Sequence, residues 1–507
     1  MRKSGTSSQN LSRLAAKGSM YNLASLFVLK FGGLIFTIIL ARMLLPELFG
    51  VYALALSIVT LALSFTDWGM ENTFLRYLSE FFGKNNKEKS RSLTRYFFRI
   101  RLTLVFIVVL FMSIFAKYLS YNVYKQPLLF YPILFSCLFI IAESFRTLFV
   151  VFFVARKDMK SILFFDISSQ ILKILFSVFA ILILSDKIII SGIFLAFFIS
   201  SFITLILEYF ILLKKDKGVL YGRKKSFEKS KINSYWKFMA LATVSLSVFG
   251  SVDILMLGRA VSPEYLGYYR ASLSLVISIS SLLSLSSIFL PIFTQISGKR
   301  FNRGFHKTLR YVLMISIPST IGVVFISNYL IKVFYGDAYL MGTSVIYLLS
   351  SLIITSPLIG LYSIVFQSKE KSKVVSNSII IALVANIIFN LISVFIFRQN
   401  DLLTINAVAF STSLSRVFLL GILVFQAKRI FNFRVRGIGL KAPIFATVIM
   451  SLFLVTFNYF VDMNIWYGIL EVILGAGIYF IFLILFKGVT KEDYKLIKSL
   501  FNIKQIN

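Results

Sequence analysis

The sequence predicts an all-α polytopic membrane protein. It should have fourteen transmembrane helices, arranged as two parallel-repeat six-helix lobes plus two accessory helices. Three observations carry this expectation: the composition, the placement of Lys and Arg, and an internal repeat. Of 507 residues, 58% are apolar and only 15% are charged. Mean hydropathy is +0.85. A soluble domain is roughly 45–50% apolar and about 25% charged. Fourteen helices of ~20 residues would use about 280 residues, close to the apolar share of the chain. A soluble enzyme with one anchor is excluded, and so is a disordered chain.

The spans are expected near 19–41, 51–79, 96–116, 128–154, 162–184, 188–213, 236–257, 268–296, 308–331, 342–366, 374–397, 402–427, 440–461 and 465–486. The first follows a short basic leader with no small-residue cleavage site, so it reads as retained. The formal charge of +33 would suggest nucleic acid on a soluble protein. Its distribution says otherwise. With the N-terminus inside, the inner segments hold 36 Lys and Arg and the outer segments 7. Strict alternation of that kind is the positive-inside pattern, with both termini cytoplasmic. No nucleic-acid partner is expected.

The repeat lies at equivalent places in the two halves. Arg42-Met43-Leu44-Leu45-Pro46-Glu47-Leu48-Phe49-Gly50-Val51-Tyr52 follows the first span. Arg259-Ala260-Val261-Ser262-Pro263-Glu264-Tyr265-Leu266-Gly267-Tyr268-Tyr269 follows the seventh, at an offset of 217. Six helices separate the copies, so both face the same way, as in a parallel repeat. The expected domains are an N-terminal lobe over 1–213, a basic linker over 214–235, a C-terminal lobe over 236–427, and an accessory pair with tail over 428–507. Two such lobes would rock around a central cavity. Pro and Gly are expected to form a tight outer turn, with Glu capping the next helix. Arg42, Glu47, Arg259 and Glu264 are then interfacial ion pairs or an outer gate.

The pattern resembles the polysaccharide transporters of the multidrug/oligosaccharidyl-lipid/polysaccharide exporter superfamily, the oligosaccharide flippases of Wzx type among them. The residues that carry the likeness are Lys17-Gly18-Ser19, "LARMLLPELFGVYALALSI" at 40–58 and "FTDWGMENTFLRYLSEF" at 65–81. It extends over the whole chain in length, span number and lobe plan. It implies flipping of an undecaprenyl- or dolichyl-diphosphate-linked oligosaccharide, or of a related lipid-linked precursor. It implies a plasma-membrane location, membrane lipids as surroundings, and a polymerase or glycosyltransferases as neighbours. No motif specifies the sugar.

Ionisable groups inside the membrane cost ~2.5–3.5 kcal/mol each on insertion scales and should face a cavity or a partner. Lys30, Arg146, Lys173 and Arg416 are the deep cations. A diphosphate would be held there by charge-assisted hydrogen bonds. Asp67, Glu71, Glu143 and Asp166 are the candidate coupling acids, able to carry a proton or coordinate Na⁺. The competing reading is mutual neutralisation: Glu143 with Arg146, Asp67 with Lys30, Asp166 with Lys173. Asp166, Gln170 and Lys173 fall on one face of span 5. Arg95, Arg99 and Arg101 are expected to reach head groups at the inner edge of span 3. The Ser-rich span 8, including Ser272, Ser280, Ser286 and Ser287, is expected to pack closely. Asn386 and Asn390 suit packing or sugar contact. His306 is expected in a solvated basic loop.

One Cys and one His exclude a disulfide and His- or Cys-cluster metal sites. There is no phosphate loop and no HExxH. No cofactor is expected beyond H⁺ or Na⁺ coupling, and no enzymatic activity. The alternatives are an ion-coupled multidrug exporter, which would want a net acidic cavity; a polytopic glycosyltransferase or ligase, which usually needs a large outer loop; and a scaffold in polysaccharide assembly.

Overall fold

The computed structural model describes residues 4–216, 225–284, 293–431, 439–461 and 465–489. Ser286, Ser287, part of the basic linker and most of the tail lie outside them. Among the described residues all regular structure is helical. Twelve helices are long and apolar enough to cross a membrane, or thirteen when one bent pair is taken as a span. The chain divides into two compact units, residues 1–270 with 390–405 and residues 271–389 with 406–507.

The first unit opens with α1 (Ser4–Asp67), α2 (Met70–Gly83) and α3 (Lys87–Tyr118). It continues through α4 (Phe130–Ala155), α5 (Met159–Ile183), α6 (Ile189–Asp216) and α7 (Lys229–Ala260). α8 (Pro263–Leu283) begins in it. The apolar stretch Met20–Gly83 counts as one of the twelve helices, yet 64 residues of straight helix would run ~96 Å, against ~30 Å of hydrocarbon. The chain solves this with breaks. At Leu45 the backbone leaves the helix with φ 58° and ψ 170°. Pro46 causes this, because a proline ring disfavours helical geometry in the residue before it. Pro263 acts alike, as the first residue of α8, a position where its missing N–H costs nothing.

The glycines of the repeat do not form the expected turn. Gly50 and Gly267 sit inside helices, and the two motif copies pack on each other. A Cβ at Gly50 would lie 1.8 Å from the Pro263 carbonyl oxygen, and one at Gly267 would lie 2.1 Å from that of Pro46. Each glycine therefore admits the backbone of the other copy. This is the small-residue crossing that brings membrane helices close. The expectation of a Pro-Gly turn is corrected to a Pro-started helix with a Gly contact one turn later.

A second break separates α1 from α2. Trp68 and Gly69 both have positive φ, 42° and 71°. Gly69 also faces α7, where an added Cβ would be 2.4 Å from the Met239 carbonyl carbon. The Trp236 indole N–H donates to the Trp68 carbonyl at 2.8 Å, which satisfies a group the break leaves open. Below the break, Met70, Phe74 and Leu78 of α2 join Phe97 of α3, Phe152 of α4 and Phe165 of α5 in a buried core. The Phe74 and Phe152 rings meet edge-on at 5.3 Å. Lipid tails are as apolar as these side chains, so dispersion and fit hold the cluster rather than transfer from water.

The α4–α5 turn is closed by Asp158. Its carboxylate accepts the Ser161 N–H at 3.3 Å and the Ser161 hydroxyl at 2.9 Å. It also pairs with Lys215 at the end of α6. Partial burial alone would raise the Asp158 pKa, but these hydrogen bonds win and hold it below the ordinary 3.8.

The second unit contains α9 (Gly298–Phe325), α10 (Ser327–Phe334), α11 (Thr343–Leu349) and α12 (Leu352–Ser368). α13 (Ser372–Phe397) and α14 (Asp401–Phe431) follow, except that their residues 390–405 belong to the first unit. α15 (Lys441–Phe460) and α16 (Ile465–Leu485) complete it. The bent pair is the segment Asp337–Leu349 with Leu352–Ser368, turned by 46°. α9 starts at Gly298, about ten residues before the expected span, because hydropathy marks only the lipid-facing part of a longer helix. Lys299, Arg300, Arg303 and His306 are thus helical, and the His306 ring meets the Asn302 carbonyl at 2.6 Å. This corrects the expectation of a solvated loop histidine. α15 and α16 pack through Met450, Leu454, Tyr479 and Leu483, with Met314 and Ile321 of α9 against them.

Gly50→Ala or Gly267→Ala should destabilise the protein by about 1–3 kcal/mol through overpacking, read as a lowered Tm in detergent. Gly33→Ala, with nothing within 4 Å of its added Cβ, should leave Tm unchanged or raise it. Asp158 contributes stability above its ordinary pKa and loses it as pH falls through the lower folded value. Asp158→Asn should therefore narrow the difference in Tm between neutral and strongly acidic buffer.

Candidate functional site

Charged side chains gather in the interior of the first unit, and local structure explains each position. At the α1–α2 break, Asp67 caps the new helix. Its two oxygens accept the Glu71 N–H at 2.9 Å and the Gly69 N–H at 3.1 Å. Arg101 of α3 reaches the same carboxylate at 3.3 Å and that of Glu71 at 3.4 Å. It also donates to the Thr147 hydroxyl of α4 at 3.4 Å. Arg101 is 1% exposed. The expectation that it reaches lipid head groups is corrected. α3 begins at Lys87, so Arg101 lies roughly 21 Å along the helix. Arg99 is exposed and Arg95 half-buried.

A second cluster joins α4, α5 and α6. Arg146 grips Glu143 with two parallel bonds, Nε to Oε2 at 2.8 Å and Nη2 to Oε1 at 2.6 Å. The fork geometry of a guanidinium makes this the strongest form of such a pair. The Ser201 hydroxyl of α6 adds a bond to Glu143 Oε2 at 2.8 Å. The remaining terminal nitrogen, Nη1, faces Glu208 of α6 at 3.5 Å. Glu208 is fully buried, and among the described residues its Oε2 has no hydrogen-bond partner.

The polar stripe of α5 runs along α1. Asp166 accepts a short hydrogen bond from the Ser25 hydroxyl. Gln170 donates to the Leu29 carbonyl at 3.5 Å and packs on Gly32. Lys173 places its ammonium 4.4 Å from the ring centres of both Phe36 and Phe197, an arrangement that favours a cation. No carboxylate bonds Lys173 among the described residues, although Glu143 and Arg270 are within electrostatic reach. Lys30 is half-buried on α1.

Outside these clusters, Arg42, Glu47, Arg259 and Glu264 are all exposed. Glu264 accepts a hydrogen bond from the Tyr268 hydroxyl. The last tyrosine of the repeat, Tyr269, donates to Asp253 at 3.0 Å, and Asn390 donates to the same carboxylate at 2.7 Å. Asn386 is buried in the second unit, and Arg416 lies half-buried on α14 of that unit. No group of three or more metal-ligating side chains occurs among the described residues.

Sequence reasoning missed Glu208 and misplaced Arg101. Glu208 is the only acid in the apolar run from Ile189 to Leu213. The rule that singles out Arg416, a single charge inside an apolar run, points equally to Glu208. Glu471 of α16 follows the same pattern: fully buried, with Asn458 of α15 donating to it at 2.9 Å.

Long apolar helices, broken spans and buried charge clusters define a multi-pass membrane protein. The family model described as polysaccharide biosynthesis protein matches residues 39–344, and the chain belongs to that family. Solved structures share its fold. The lipid II flippase MurJ in an inward closed conformation aligns with a TM-score of 0.69 at 17% identity, covering 92% of this chain and 99% of that one. An inward-facing multidrug resistance MATE family transporter of the MOP superfamily aligns at 0.57 and 13% identity, covering 83% and 96%. The MATE multidrug transporter DinF-BH aligns at 0.56 and 16%, covering 83% and 96%. No curated protein sequence matches the chain.

Removing Arg101 would leave the half-buried Asp67 and Glu71 without their cation. Arg101→Met should lower stability by about 1–3 kcal/mol. Adding Asp67→Asn and Glu71→Gln should recover most of the loss, measured as Tm in detergent.

Proposed function

We propose that the protein is a flippase for lipid-diphosphate-linked oligosaccharide in the cytoplasmic membrane, serving cell-surface polysaccharide or glycan synthesis. It spans the bilayer fourteen times when the bent pair is taken as one span and the two parts of α1 on either side of Leu45 are counted separately, with both termini cytoplasmic. Transport proceeds by alternating access of the two repeats. The lobes are residues 1–213 and 236–427, joined by the basic linker and followed by the accessory pair.

One observation carries this reading: Lys173 is a cation inside an apolar helix bundle, flanked by ring faces and, among the described residues, bonded to no carboxylate. A cation held this way can take a phosphate without first breaking an ion pair. Arg146, Lys30 and Arg416 supply further donors for the anionic head group. The prenyl chain stays in lipid throughout. Asp67, Glu71, Glu143 and Asp166 are the coupling acids, and H⁺ or Na⁺ is the driving ion. Arg42, Glu47, Arg259 and Glu264 flank the place where the motif copies meet and serve as the gate on that side. A polysaccharide polymerase or glycosyltransferases work beside the flippase.

A second reading has its own support. In the interior of α1 to α6 the acids Asp67, Glu71, Glu143, Asp166 and Glu208 outnumber the cations Lys30, Arg101, Arg146 and Lys173. A net acidic interior suits ion-coupled export of a cationic drug. Reconstitution separates the two. Liposomes should flip a labelled polyprenyl-diphosphate oligosaccharide, and should not expel the cationic dye ethidium against a proton or sodium gradient. Arg146→Ala, Lys173→Ala and Arg416→Ala should each cut flipping at least about tenfold at equal protein level, the loss of one charge-assisted contact. Full rates in all three would sink the assignment.

A further inference from the structure

The α4–α6 cluster leaves one of its acids incompletely bonded. Glu143, Glu208 and Asp166 supply three acids, Arg146 and Lys173 two cations, and Arg270 of α8 lies within electrostatic reach of Lys173. Arg146 and Glu143 of α4 and Asp166 of α5 are the charged groups that face Glu208, and Lys173 of α5 faces Glu143. Glu143 is fully engaged, one oxygen with Arg146 Nη2 and the other with Arg146 Nε and Ser201. Asp166 has the Ser25 hydroxyl. Glu208 has one contact, to Nη1 at 3.5 Å, and a second oxygen that is buried and unbonded. Among the described residues Glu208 is therefore the least satisfied of the three acids.

We propose that Glu208 is a proton-binding residue of the transport cycle, and that its protonation releases Arg146 Nη1 to a phosphate oxygen. The second half rests on the flippase reading above. Glu208 Oε2 takes a proton from water on one side of the membrane and becomes a neutral carboxylic acid. Its claim on Nη1 then lapses, while Glu143 keeps the guanidinium oriented through Nε and Nη2. A phosphate arriving at Nη1 meets a donor already fixed in direction. Loss of the proton on the other side restores the carboxylate, which competes for Nη1 and favours release. A proton fits the site better than Na⁺. Sodium requires several oxygens around it, and among the described residues Glu143, Arg146 and Glu208 offer a single unfilled acceptor oxygen.

Infrared difference spectroscopy on the full-length protein in phosphatidylethanolamine/phosphatidylglycerol vesicles tests the proton half directly. On acidification wild type should gain a carboxylic-acid C=O stretch that shifts in D₂O. Glu208→Gln should lose it, and Glu208→Asp should retain it, which separates a lost proton site from a misfolded protein. The same band in Glu208→Gln overturns the proposal. So does a Glu208 signal that responds to Na⁺ at fixed pH and not to acid. The phosphate half uses farnesyl diphosphate as probe in lightly buffered vesicles. Its binding to wild type should draw a proton from solution, and this uptake should vanish in Glu208→Gln and in Arg146→Ala. Unchanged uptake in Glu208→Gln overturns the link to Arg146. If farnesyl diphosphate does not bind wild type at all, the phosphate half and the substrate reading both fall, while the infrared band still decides whether Glu208 holds the proton.

Discussion

Burying charge where water cannot follow is the constraint on which the interior of this protein depends. An ion in hydrocarbon must find an opposite charge, a dipole or a ring face. Each buried cation here uses a different solution. Arg101 is shared by two acids at a helix break. Arg146 is gripped by one acid and approached by a second. Lys173 lies between two phenylalanines. These solutions tie helices that are far apart in sequence: α1, α2, α3 and α4 through Arg101, and α4, α5 and α6 through Arg146 and its neighbours. The apolar side chains around them fit well but gain little from leaving lipid. Polar contacts therefore decide which helix faces meet.

Much of the architecture was legible because membrane insertion writes itself into composition. Long apolar runs mark the helices without any knowledge of packing. The internal motif at 42–52 and 259–269 likewise marked a structural identity between two places. The local geometry was less legible. Apolar runs stop where lipid stops, whereas helices continue into water, so α3 and α9 begin about ten residues early. Arg101 consequently lies deep, although hydropathy places it at an edge. Pairing across helices left only a faint trace. Asp166, Gln170 and Lys173 share a face by spacing, and that face does meet α1. That Asp67 would be held by Arg101, or that Glu208 would complete the Arg146 site, depends on the rotation of helices about their axes. In α6 the only trace of that rotation is the spacing of Ser201, Thr204 and Glu208 at i, i+3 and i+7.

The breaks in α1 place irregular backbone next to polar side chains. At Trp68 and Gly69 the chain gives up helical hydrogen bonds inside an apolar bundle, which is tolerated only where other groups replace them. Asp67 and Trp236 do so. The N-terminus of α2, with its partial positive charge, is thereby set beside two acids and one arginine. Chain geometry and charge are matched at that point, so a change in either alters the other.

The seating of Gly50 against Pro263, and of Gly267 against Pro46, has the form of an isologous interface. Position i of one copy touches position j of the other, and j touches i. A contact of this form needs only one surface, complementary to itself. The two copies of the motif supply both halves of that contact within one chain, so at each copy the backbone of the other requires the glycine.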